Sequence, residues 1–199
     1  MEELKNHINV DGNSKVPSSI AIFNMGSATK CPSKKLGLCA ACKSKVKCYA
    51  LKSEQFYTNT IPYRNKQEKY WKKVKAENFI ADFISMQQRK RNKFKGLRLN
   101  ESGDFWSQKC VEKAEKIAKG LVKIGVKTYC YTSRSDLDYK GIKSLIISGS
   151  GFKKSGISSV FKIIDKKENR PKGYGLCAGD CSVCNRCMKR NMKTAVIKH

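Results

Sequence analysis

Between residues 20 and 164, short apolar runs alternate with amphipathic stripes, and that alternation is what most restricts the fold. Residues 20–23, 97–100, 126–132, 145–147 and 160–164 are apolar runs of strand length. Phe79, Ile80, Phe83 and Ile84 recur at three and four residues, as on one face of a helix. Cys110, Ala114, Ile117, Leu121 and Ile124 do the same, with lysines opposite. Residues 49–56 begin a helix, Pro62 restarts the chain, and 136–144 suit a further short helix. Strand, helix, strand is the rhythm of βαβ units. The expected fold is therefore α/β, with βαβ units forming a mainly parallel sheet or an irregular partial barrel. A flexible N-terminal segment, 1–17, precedes a single α/β domain over 18–199.

Parallel sheets gather ligands at the carboxyl ends of their strands. Three polar segments fall there: 101–104, 131–136 and 148–150. Asp104 has two equal readings, cap of the following helix or catalytic carboxylate. Arg134 offers a planar fork for a phosphate or carboxylate, although an ion pair with Asp136 or Asp138 is the simpler reading. Gly149-Ser150-Gly151 is too short for a phosphate loop. His7 and His199 lie near the termini, so the chain offers no obvious histidine base, which argues against ordinary hydrolase chemistry. Tyr70 and Trp71 sit among lysines and are open to two readings, base stacking or core.

Eight of the ten cysteines form two groups: Cys31, Cys39, Cys42 and Cys48, then Cys177, Cys181, Cys184 and Cys187. Thiolates are soft ligands, and about four of them complete one centre. No apolar run is long enough for a bilayer, and the first residues do not resemble a secretory signal. An intracellular chain, in host cytoplasm or virion and not secreted, is expected. In a reducing compartment cysteine clusters favour metal over disulfides. The second group is packed into eleven residues with gaps of three, two and two. Zinc sites usually pair two knuckles across a longer loop, whereas close consecutive spacing suits an iron–sulfur cube. A [4Fe–4S] cluster is thus favoured over zinc. The two cysteine-rich segments are expected to meet at the metal site. Cys110 and Cys130 lie in apolar patterns and read as small core residues.

The net charge of +26 bears on partners, not on fold. A polyanion, most simply nucleic acid, is the expected partner. The bland alternative is lysine spread over solvated faces.

Cys31-Pro32, Cys39-x2-Cys42, Cys48-Tyr49-Ala50, Leu97-Arg98-Leu99 running to Ser102-Gly103-Asp104-Phe105, Tyr131-Thr132-Ser133-Arg134-Ser135 and the C-terminal cysteine run occur in this order. Over roughly residues 20–190 the combination resembles the phage "gene product 88"-like proteins, a viral family with giant-virus relatives. The resemblance implies a viral origin and an iron–sulfur centre, and no reaction. A looser likeness is to radical S-adenosylmethionine barrels, with Ser102-Gly103-Asp104 standing where those enzymes often have Gly-Gly-Glu. Three functions follow as expectations. The first is an iron–sulfur protein with a structural or electron-transfer cluster and nucleic-acid association. The second is a radical S-adenosylmethionine-like enzyme: Cys177-x3-Cys181-x2-Cys184 has the spacing by which such enzymes leave one iron open, with Asp104 and Arg134 near the substrate. The third is a zinc-stapled nucleic-acid-binding module.

Overall fold

The computed structural model describes residues 3–39 and 48–197. Seven strands form one open, all-parallel sheet in the order β1-β2-β3-β4-β5-β7-β6. They are β1 (Ile20–Phe23), β2 (Gly96–Leu99), β3 (Lys127–Thr132), β4 (Ile146–Ser150), β5 (Ser159–Ile164), β6 (Gly175–Leu176) and β7 (Lys193–Ile197). Five helices accompany them among the described residues: α1 (Pro32–Lys35), α2 (Tyr49–Phe56), α3 (Thr60–Lys73), α4 (Ala76–Arg89) and α5 (Gln108–Val122). The α/β class with a parallel sheet is as expected; the sheet does not close into a barrel.

Side chains alternate along a strand, so each strand serves both faces. Phe23, Leu99, Cys130 and Ile147 form one register row and lie in the main core. The helices lay their apolar stripes on that face. Phe79 and Phe83 of α4 and Val111, Ala114, Ile117 and Leu121 of α5 are fully buried there. Tyr70 and Trp71 also belong to this core, with Trp71 and Phe79 packed around Phe23 at ring distances of 5.6 and 5.4 Å. The helices themselves close tightly: a Cβ at Gly120 of α5 would lie 2.6 Å from Ile80 of α4. Leu4, Ile8 and Val16 of the leading segment are buried too.

The opposite face carries the row Ile22, Arg98, Tyr129 and Ile146. Here Val16, Ile20, Ile22, Tyr129 and Ile146 make a second apolar cluster, covered by Tyr131, Cys181, Cys187 and Met188. Met188 takes the space above Gly96 that a Cβ would fill. The cysteine segment thus does on this face what helices do on the other.

Two expectations need correction. Residues 136–144 form turns, not a helix. Their backbone is committed elsewhere: Glu115 of α5 accepts from the N–H groups of Lys143, Ser144 and Leu145, and Gln108 takes both backbone groups of Asp138. Gly149 and Ser150 are strand, not loop, because they pair with Val160 and Phe161 of β5.

Candidate metal centre and the carboxyl-end loops

Segment 177–188 runs from β6 toward β7 and is pinned by backbone bonds. The N–H of Cys177 donates to Ala195 and that of Cys181 to Lys15, both at 2.8 Å. Cys187 is partly buried, and its sulfur accepts a 2.5 Å hydrogen bond from the Tyr131 hydroxyl. Burial pushes the Cys181 thiol up to about 11, with further upward pressure from Cys187, Cys177 and Cys184. Cys187 is raised by burial, while the Tyr131 bond and Arg98 oppose the shift. Cys177 and Cys184 thus lie within electrostatic reach of both Cys181 and Cys187. As they stand, no three His, Cys, Asp or Glu side chains among the described residues form a group able to hold a metal ion.

Arg98 connects this face to the carboxyl rim. Its guanidinium lies 5.6 Å from the centre of the Tyr131 ring and 3.5 Å from Glu101, and it donates to the Tyr49 hydroxyl at 3.3 Å. That hydroxyl donates in turn to the Glu101 carbonyl. The buried Nε of Arg98 has no partner among the described residues. Tyr49 follows Cys48, so contacts run from the edge of the first cysteine group, through Arg98 and Tyr131, to Cys187. Sequence reasoning passed over Arg98. Its signal was a lone charge between Leu97 and Leu99, which alternation turns away from the helical face.

The N-terminal group sits beyond β1. Cys31 precedes α1, and burial pushes its thiol up to about 12, with Asp104 and Cys39 adding to the shift. Cys48 precedes α2. Cys42 lies outside the described residues. Glu54 of α2 closes this loop: it accepts from the N–H groups of buried Ala28 and exposed Thr29 and pairs at 2.8 Å with Arg64, which is buried like Glu54 itself. A polar cleft of about 310 Å³ opens beside it, lined in part by Asn24, Tyr63, Arg64 and Glu101.

Asp104 is buried and does not cap the helix, which begins at Gln108 behind Ser107. Its carboxylate accepts from Ser33 Oγ at 2.6 Å, Thr132 Oγ1 at 2.7 Å, Phe105 N at 2.8 Å and Ser133 N at 2.9 Å. It thereby ties the first cysteine loop to the ends of β2 and β3. Burial raises its pKa against the pull of those four bonds. Arg134 is also buried. It grips Asp136 with two bonds of 2.8 Å and donates to the Phe105 carbonyl, so the ion-pair reading with Asp136 holds. Cys130 is buried in the core and Cys110 is half-buried against it. No helix among the described residues is long and apolar enough to cross a membrane.

No curated protein and no solved structure gives a significant match to the chain. The family model for Gene product 88 matches residues 2–151. That span takes in the first cysteine group, Arg98, Asp104 and Arg134, and ends before the second cysteine group. With β1 to β4 inside the matched span, the chain belongs to the viral Gene product 88 family.

Proposed function

We propose that this protein binds a [4Fe–4S] cluster through Cys177, Cys181, Cys184 and Cys187, seated on the second face of the sheet. The observation that carries the reading is that Cys181 and Cys187 pack on one apolar floor and that both feel Cys177 and Cys184. Thiols in that situation ionise only when a cation offsets their repulsion. Four thiolates on such a cube leave a net negative charge, and Arg98 lies within electrostatic range of Cys181 and Cys187. The tight spacing supports a cube over a single zinc ion. The segment's one regular element is a 3-10 turn at Arg186–Met188, so the sulfurs can draw together by local loop movement. The cluster would staple the segment to the sheet and be able to carry an electron.

A second reading rests on Cys31. It follows β1 on the carboxyl side of a parallel sheet and feels the charge of Asp104. That arrangement suits a radical S-adenosylmethionine-like enzyme whose cluster belongs to the first group.

The test is iron and sulfide analysis with visible absorption on protein purified without oxygen. About four iron and four sulfide per chain is the expected result. A variant with serine at 177, 181, 184 and 187 should lose both, and one with serine at 31, 39, 42 and 48 should keep them. The reverse pattern, with cleavage of S-adenosylmethionine on reduction, would move the cluster to the first group. Stoichiometric zinc and no iron after anaerobic reconstitution would overturn the iron–sulfur reading in favour of a zinc-stapled module.

A further inference from the structure

The amino-terminal edge of the sheet carries exposed lysines with few carboxylates beside them. Lys95 immediately precedes β2, Lys127 opens β3, and Lys193 opens β7. The register pairs Gly96 with Lys127 and Val160 with Lys193, and the Lys127 N–H donates to the Lys95 carbonyl at 3.1 Å. Lys143 lies just ahead of β4. Arg190, just ahead of β7, joins these segments by donating to the carbonyls of Lys143 and Leu145 and to Ser158 Oγ. Lys95, Lys127, Lys143, Lys189 and Lys193 are all exposed. None has a carboxylate partner; the ion pairs of the described residues lie elsewhere. Glu115 reaches this edge, but its carboxylate is taken by backbone N–H groups. At the other end, Glu101 and Asp104 follow β2, Asp136 and Asp138 follow β3, and Asp165 follows β5. Lysines stand at that end too, among them Lys34, Lys35, Lys153, Lys154, Lys166 and Lys167, but there these carboxylates accompany them, and Lys154 lies within electrostatic reach of Asp136.

We infer that the amino-terminal edge of the sheet, built on Lys95, Lys127, Lys143, Lys189 and Lys193, is a binding surface for a nucleic-acid backbone. Neighbouring strands are about 4.8 Å apart, so the four steps from β2 to β7 span about 19 Å. A duplex along that line presents roughly one charge per 1.7 Å of axis. Phosphates therefore outnumber the lysines, and each ammonium can displace a counterion. The edge offers point charges and no base-reading side chain, so binding is independent of sequence. It lies at the opposite ends of the strands from Asp104.

The experiment is fluorescence anisotropy of the full chain with fluorescein-labelled 20-mers (duplex DNA, single-stranded DNA and RNA) between 25 and 300 mM salt. The variant K95Q/K127Q/K143Q/K193Q is compared with K66Q/K69Q/K73Q/K109Q, which removes the same charge from exposed helix positions. The edge variant should lose at least tenfold in affinity at 100 mM salt, and its duplex salt slope should fall by about 3. The helix variant should change less than about threefold. Acetylation of wild-type lysines, read by mass spectrometry, needs no variant: bound duplex should protect Lys95, Lys127, Lys143 and Lys193. Equal losses in the two variants, no protection at the edge, or no binding even at 25 mM salt would overturn the inference. The three probes separate DNA from RNA.

Discussion

Replacing Asp104 separates a structural tie from a catalytic group. Its carboxylate is buried and accepts four hydrogen bonds from three segments of the chain. At a net value of about 1 kcal/mol each, these bonds contribute about 4 kcal/mol. Removing a buried charge returns part of that, so D104A should destabilise by about 3 kcal/mol. For a domain of this size that lowers Tm by roughly 6–12 °C. D104N keeps the shape and one oxygen, and should cost about half as much. The pH dependence has a definite sign. Burial raises the folded pKa of Asp104 above its unfolded value. Such a group holds its proton more tightly when folded, so its contribution is full below the unfolded pKa and is lost as pH rises through the folded one. The side-chain amide introduced by D104N does not titrate. The Tm gap between wild type and D104N should therefore be wider near pH 4 than at pH 7. Thermal melts monitored by circular dichroism at several pH values provide the check. A D104A protein melting within about 2 °C of wild type, with an unchanged pH profile, would refute the structural role and return Asp104 to the catalytic reading.

Glu54 makes the opposite prediction with acid. Burial raises its pKa, but bonds from Thr29, Arg64 and the Ala28 backbone more than reverse this, and the net shift is downward. Its contribution is present above the unfolded pKa and is lost as pH falls through the lower folded value; E54A should cost about 3 kcal/mol by orphaning buried Arg64, and urea melts at pH 7 and pH 4 should show the deficit shrinking in acid. Gly103 has φ +75°, and a Cβ there would lie 2.8 Å from the Gly26 carbonyl oxygen, so G103A should lose about 2 kcal/mol in the same assay. E115A frees the N–H groups of residues 143–145; these amides should exchange with deuterium at least tenfold faster while the β2 amides hardly change. Oxygen or chelator treatment should lower the Tm of wild type and leave unmoved a variant with serine at 177, 181, 184 and 187.

The strands were legible because a short apolar run between turn residues has few other uses, and β1 falls on the run that marks it. The helical stripe at Ala114, Ile117 and Leu121 was legible for the same reason, since all three are buried. Residues 136–144 were not, because their helical pattern lost to side chains far away in sequence, Glu115 and Gln108. Nor were β6 and β7. The first has two residues, and the second completes the sheet only by sitting between β5 and β6, out of chain order. Tyr70 and Trp71 looked equally suited to stacking bases or filling a core, and only packing around Phe23 decides between them. At the site, cysteine spacing named the ligand candidates but could not reveal Arg98 or Tyr131, whose importance comes from register.

The two faces of the sheet differ in what holds their cover in place. On one, helices contribute long apolar stripes, and each carries its own backbone bonds. On the other, the cover of Ile20, Ile22, Tyr129 and Ile146 includes Cys181, Cys187 and Met188 from a segment with a single 3-10 turn. Such a segment leaves much of its backbone bonding to partners elsewhere, and ordering it costs about 1–2 kcal/mol per residue. The backbone bonds at Cys177, Cys181 and Met188, the side-chain bonds of Cys177, Asp180 and Arg186, and the bond from Tyr131 to Cys187 offset only a fraction of that. Val183 remains 78% exposed, so apolar burial does not make up the difference throughout. Thiolate–metal bonds at four points along the segment would. With the proposed cluster bound, the same deficit predicts that its removal is felt first as loss of order over residues 177–188, with the helical core still intact. Hydrogen exchange before and after chelation should therefore show protection lost on the Ile20 and Tyr129 face while the amides of α4 and α5 keep theirs.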